Sequence, residues 1–255
     1  MIKFFRKIRQ QLLSENKFSK YLIYAIGEIF LVVIGILIAL QINNWNSEKR
    51  ARVEEKQLLH NLKFDFNNAI EDLTFLLDVR NQQVSAIKKL YRILESGHAN
   101  YTEDELLKLL WLESFTGSYD SQSSALNMLS NSGKINIISN NLLKNQLISW
   151  PDMLADFTEE EDAIREMTQR FYLPITGKHV SLAQVLRSRK DIFDYGMVIP
   201  NGTIKNDFSG LFKNTDFENL MTYKLTHIIL AIEGSEILIT TAKGIVETID
   251  NELKK

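Results

Sequence analysis

The sequence predicts an all-α protein, with an N-terminal transmembrane helix followed by an elongated helical bundle built on two long antiparallel helices. Three observations predict it. Residues 21–42 form one unbroken apolar stretch with a single embedded carboxylate, Glu28. Residues 48–96 and 215–253 each repeat apolar residues at helical spacing over many turns. Only three prolines interrupt 255 residues, so few helices are forced to stop.

The apolar stretch is long enough, as a helix, to cross a hydrocarbon core of roughly 30 Å. It exceeds the apolar region of a cleavable signal peptide and ends in Ala39-Leu40-Gln41-Ile42, with no small-x-small cleavage pair. An uncleaved, single-pass signal-anchor is expected. Lys3, Arg6, Lys7, Arg9, Lys17 and Lys20 precede it against Glu15 alone, whereas Lys49, Arg50, Arg52 and Lys56 follow it mixed with Glu48, Glu54 and Glu55. Positive-inside bias then puts residues 1–20 in the cytoplasm and residues 43–255 outside it. Ile2, Phe5, Ile8 and Leu12 share one helical face opposite most of the early cations. That segment is either an amphipathic helix lying in the lipid interface or a plain basic flank.

Within the span, Tyr24, Glu28, Gly35 and Ala39 fall on one face. Gly35 and Ala39 form a small-xxx-small pair that permits close helix approach, and Glu28 in the same seam could hydrogen-bond across helices as a neutral carboxyl. Three readings stay open: a self-association or partner face, a lone anchor of ordinary composition, and a proton-linked contact through Glu28. Asn43, Asn44 and Trp45 follow where the helix leaves the bilayer, a position that suits interfacial anchors.

Residues 43–255 form the third expected region, a periplasmic helical domain large enough for a sizeable core. Leu62, Phe66, Leu73, Leu76 or Leu77, Val84, Ile87, Tyr91 and Leu94 run near a 3.5-residue spacing, as in a coiled coil. Arg80 fills the one polar slot, and Gly97 is the expected stop. This helix is expected over 48–96, and either runs on from the span or breaks at the Asn43-Asn44 pair.

Thr102-Glu103-Asp104-Glu105 is a capping box that opens a short helix to Glu113. A polar stretch from Gly117 leads to a helix at Ser124–Asn131, stopped by Gly133. Ser139 is the expected cap of the next helix, which Pro151 should interrupt before it continues to Tyr172. Residues 181–190 form another short helix, and the loosest stretch is 191–214, with Gly196, Pro200, Asn201-Gly202 and Gly210. Thr215-Asp216-Phe217-Glu218 then offers a second capping box. The stripe behind it is Phe217, Leu220 or Met221, Leu225, Ile228, Ile232, Leu238, Ala242, Ile245, Ile249 and Leu253.

Chemistry-bearing motifs are sparse. The chain has no cysteine, hence no disulfide, thiolate metal site or cysteine nucleophile. His60, His98, His179 and His227 lie far apart and make no metal-ligand spacing. Gly133-Lys134 lacks the glycine that a phosphate-binding loop needs, since that position is Met128. Ser118, Ser121, Ser123 and Ser124 lack the Gly-x-Ser-x-Gly elbow and read as loop and cap. Glu159, Glu160, Glu161 and Asp162 read as a solvated helix face. Asparagine is frequent at 127, 131, 136, 140, 141 and 145, which suits turns and caps. A candidate polar ligand cleft would use Tyr119, Asn136 and Trp150. The net charge is −2, of which residues 43–255 carry −6, so no nucleic-acid footprint is present. No cofactor, metal or catalytic residue is expected, and the protein reads as a non-enzyme.

Residues Glu15 to Tyr21, Gly27-Glu28, and Gly35 through Asn46 together resemble the N-terminal signature of an uncharacterised family of single-span envelope proteins from Bacteroidota, catalogued only as a domain of unknown function. The likeness is dense over residues 4–50. A weaker one spans Tyr119 through Trp150, around Ser132-Gly133-Lys134 and Ile138-Ser139-Asn140. The resemblance implies a bacterial inner-membrane protein with a periplasmic helical domain, and it implies no catalytic residue. The expected partners are the lipid bilayer and either further copies of the chain or another membrane protein. The expected role is a self-associating sensor, scaffold or adaptor. The alternative is an accessory subunit of an energised envelope complex that uses Glu28.

Overall fold

The computed structural model describes residues 18–120, 124–189 and 204–255. The basic segment at 1–14, Ser121 and Ser123, and Gly196, Pro200 and Asn201-Gly202 of the loose stretch lie outside them. Among the described residues eight α-helices run in the order α1 (Phe18–Ser96), α2 (Glu103–Ser114), α3 (Ser124–Ser132), α4 (Asn141–Met167), α5 (Leu173–Gly177), α6 (Leu182–Arg187), α7 (Phe208–Phe212) and α8 (Thr215–Leu253). A 3₁₀ turn, Lys134–Ile137, precedes α4, and a π-helical turn, Thr168–Tyr172, follows it. The described residues contain no strand, so the all-α class holds.

The chain divides into two compact units, Met1–Gln57 and Leu58–Lys255. In the first, α1 contains a helix long and apolar enough to span a membrane, with Ile26, Ile29 through Ile34, Ile36, Leu37, Ile38, Leu40 and Ile42 all exposed. No helix break occurs at Asn43-Asn44: α1 continues without interruption to Ser96. Gly97 ends it with φ +82° and donates its N–H to the Ile93 carbonyl at 2.8 Å, the stop its lack of a Cβ permits.

In the second unit α1 and α8 pack antiparallel. Lys63 meets Asp250 near one end, and Tyr91 meets Thr222 near the other. The α1 seam buries Leu59, Leu62, Phe66, Ala69, Leu73, Leu76, Arg80, Gln83, Ile87, Leu90 and Ile93, at steps of three and four residues that alternate as far as Leu90. The expected stripe is correct at Leu62, Phe66, Leu73, Leu76, Arg80 and Ile87, while Gln83, Leu90 and Ile93 are inside and Val84, Tyr91 and Leu94 lie beside them.

Two apolar clusters fill the unit. One joins α1, α3, α4 and α8, with Trp150 edge-on to Phe66 at 5.0 Å. The other joins the end of α1 with α2, α6, α7 and the start of α8, around Leu90, Leu110, Tyr172 and Phe217.

Local start signals are partly as expected. Thr102 caps α2 in a full capping box, its hydroxyl accepting from Glu105 N–H while Thr102 N–H donates to the Glu105 carboxylate. Two other expected caps are displaced by one residue. Asn140, not Ser139, caps α4, and Asn214, not a Thr215 box, caps α8. In each case the neighbouring Asn side chain accepts from the first N–H groups of the helix, Leu143 N–H for Asn140 and the Asp216 and Phe217 N–H groups for Asn214.

Pro151 does not interrupt α4, which runs through it to Met167. The missing N–H and the ring clash cost about 3 kcal/mol. Leu147, Trp150 and Phe157 on the flanking turns are buried in the core, and each such side chain contributes about 1.5–3 kcal/mol. Burial of both flanks therefore outweighs the defect.

Candidate functional site

The sequence-derived membrane face lies on α1. Tyr24 is in the helix, Glu28 is half-buried, and Gly35 and Ala39 are exposed. A Cβ added at Gly35 would meet nothing within 4 Å, so that side of the helix offers open space. Asn43, Asn44 and Trp45 are exposed, and Lys49 Nζ sits 5.8 Å from the centre of the Trp45 ring.

The residues named for a polar cleft go to different environments. Trp150 is in the core at 1% exposure, Asn136 is exposed on the 3₁₀ turn, and Tyr119 packs at the core margin while donating its N–H to Glu161 Oε2 at 2.9 Å. Tyr119 and Trp150 share one apolar cluster; Asn136 does not join them.

The structure places its densest chemistry elsewhere, in a buried polar layer where the two apolar clusters meet. On α8 the layer falls at Lys224, between Met221 of one cluster and Ile228 of the other. Lys224 and Glu113 of α2 are both wholly buried, with Nζ 3.6 Å from Oε2. Lys224 also donates to the Glu113 backbone carbonyl and lies 5.1 Å from the Tyr172 ring centre. The Tyr172 hydroxyl donates to the Leu110 carbonyl at 2.7 Å. Arg80 of α1 donates to Gln83 Oε1 and to the Gly117 carbonyl, each at 2.8 Å, and its guanidinium is 3.6 Å from Glu161 of α4. Gln83 completes the set by donating to the Leu112 and Phe115 carbonyls.

Burial governs the titration of these groups. It pushes the Glu113 carboxyl up to about 7, with Lys224 and Arg80 pulling the other way. It raises Glu161 against the Tyr119 N–H and the cations, raises Tyr172 well above the usual phenol, and lowers both Lys224 and Arg80. Both carboxylate oxygens of Glu113, and Oε1 of Glu161, are buried without a hydrogen bond. Two acids and two bases thus hold one another inside the bundle.

No sequence motif announces this layer. Arg80 was legible as the polar residue on an apolar stripe. Glu161 corrects the solvated-face reading of 159–162, because it is 2% exposed and points inward, while Glu160 bonds His227 at 2.7 Å. Glu113 and Lys224 gave one usable signal: each is a charged residue at an interior position of an apolar helix. Among the described residues no group of three or more His, Cys, Asp or Glu is placed to hold a metal ion.

No curated protein and no solved structure matches the chain. Residues 28–148, from within the apolar span into the first turns of α4, match the model of DUF6090, a family of unknown function.

Proposed function

We propose that this protein is a single-span, membrane-anchored helical module of the bacterial inner membrane that works by association rather than catalysis, as a self-associating sensor, scaffold or adaptor. Its N-terminus lies in the cytoplasm and the bulk of the chain in the periplasm. The observation that carries this reading is the exposed apolar length of α1 from Ile26 to Ile42, with open space at Gly35 on the Glu28–Ala39 face. Such a surface is stable only against lipid or another helix. The non-enzymatic part is supported by the polar layer, whose acids and bases are spent on one another between two apolar clusters.

Topology is testable because the chain has no cysteine. In cells whose outer membrane has been made permeable, a membrane-impermeant maleimide should label Ser47→Cys, and should label Ser14→Cys only after the inner membrane is lysed. The opposite pattern would invert the orientation, and equal labelling of both in intact cells would remove the anchor. A second reading makes the protein an accessory subunit of an energised complex. It is favoured by one observation, the half-buried carboxylate of Glu28 inside the apolar length.

A further inference from the structure

α4 and α8 pack side by side and leave a furrow along their outer surface. It opens into a groove of about 430 Å³ at Met167, Phe171, Leu220 and Tyr223, and into another of about 290 Å³ at Met153, Leu230, Gly234 and Ile237. On α8, Leu220, Tyr223, His227, Leu230, Gly234 and Ile237 follow alternating three- and four-residue steps. That is the seam of a coiled coil, distinct from the one facing α1. Three of its members remain in solvent: Tyr223 is 68%, Leu230 42% and Ile237 58% exposed. Phe171 adds a half-exposed ring across the furrow. From Leu220 to Ile237 the seam covers an eighteen-residue stretch of helix, about 26 Å.

The charged residues lining both grooves are all carboxylates: Asp156, Glu160, Glu166 and Glu233. Glu160 is bonded to His227 and Glu166 to Arg170 at the rim. Asp156 and Glu233 have no ion pair among the described residues.

We propose that the α4–α8 furrow is a docking site for a basic amphipathic helix of a separate partner protein. An apolar seam flanked by acids favours a helix whose apolar face enters the grooves while Lys or Arg side chains lie along the rims. A second copy of the chain would bring the same carboxylates face to face, which is repulsive. In the proposed topology the chain's own basic segment, residues 1–20, lies across the membrane from the bundle and is not the occupant. The proposal gives the adaptor reading a surface of defined chemistry and does not rest on the membrane-helix contact.

The test uses full-length protein in nanodiscs of neutral lipid and a fluorescent eighteen-residue peptide of Leu and Lys in a 3–4 pattern. A twin in which Glu replaces Lys is the control, and empty nanodiscs give the lipid background. Saturable binding above background is expected for the Leu/Lys peptide only. Asp156→Asn/Glu160→Gln/Glu233→Gln should weaken it at least tenfold, as should Leu230→Ser/Ile237→Ser, with helical content unchanged by circular dichroism. The charge-neutralised variant changes exposed Asp156 and Glu233 and leaves at Glu160 an amide able to bond His227, so it reports even if the apolar pair disturbs folding. Absence of binding above background, equal binding of the Glu twin, or unchanged affinity in the neutralised variant would each overturn the proposal. Peptide binding is read at the bundle whatever the oligomeric state, so its failure would leave association through the span standing.

Discussion

Lys224 Nζ lies 3.6 Å from Glu113 Oε2 with both side chains wholly buried, joining α8 to α2 at the boundary between the two apolar clusters. A buried pair of this kind adds little net stability over apolar residues of the same size, yet removing one member leaves a bare charge in a low dielectric. Arg80 and Glu161 repeat the arrangement between α1 and α4. The layer thus ties four helices in one register, since a slip of either long helix by one turn would set a charge against leucine and isoleucine.

Breaking the pair from one side should be costly. Lys224→Met is expected to destabilise the folded chain by about 3–5 kcal/mol. The double variant Lys224→Met/Glu113→Leu should recover most of that loss. Thermal unfolding of full-length protein in detergent, read by circular dichroism, checks both. Equal and additive losses would show that the two side chains do not depend on one another.

The same carboxyl predicts a pH dependence. Burial puts Glu113 at about 7, above its ordinary 4.5. Between those values the folded chain keeps a proton that the unfolded chain has released, so stability falls as pH rises. This contribution is complete below pH 4.5 and is lost as pH passes through 7, a change on the order of 3 kcal/mol. The difference between wild type and Glu113→Gln isolates it. Glu113→Gln should melt with a flatter profile across that window, and parallel profiles would contradict the assignment.

Pro151 predicts an unusual gain. Pro151→Ala restores one N–H and removes a ring clash inside a continuous helix. The melting temperature should rise, by an amount corresponding to about 1 kcal/mol or more. A fall would mean that the proline shapes α4 in a way its neighbours require.

Asn140 joins two distant parts of the second unit. Its carbonyl oxygen accepts from Leu143 N–H, and its amide donates to Glu252 Oε1 at 2.7 Å. Asn140→Ala should cost about 1–2 kcal/mol, more than Asn140→Ser, which keeps a capping oxygen but not the second bond. Chemical denaturation of the three proteins ranks them.

Much of this architecture is legible in the sequence, for identifiable reasons. The apolar span, the two long stripes, Gly97 and the Thr102 capping box depend on spacing and local chemistry, which a sequence displays. The resemblance seen over residues 4–50 and again from Tyr119 to Trp150 overlaps the matched segment 28–148. The differences in the interior share one cause: a stripe reading prefers apolar residues at buried positions. The α8 stripe includes Leu225, Ile232 and Leu253, which are half-buried, whereas Lys224, Ala231, Ser235 and Glu252 are buried. Lys224 belongs inside only because Glu113, more than a hundred residues away, supplies its partner, and no local pattern encodes that pairing. Glu161 was placed with its acidic neighbours for the same reason, since Arg80 reaches it from another helix.

The central claim, association through the face holding Glu28, Gly35 and Ala39, is tested most directly by the native mass of tagged full-length protein gently purified from its own membranes. Wild type should run as a defined oligomer or with a stoichiometric membrane partner. Gly35→Leu should lose that assembly at unchanged protein level, and Glu28→Gln should weaken it. A monomer without partner in all three proteins would contradict the claim and reduce the span to an anchor.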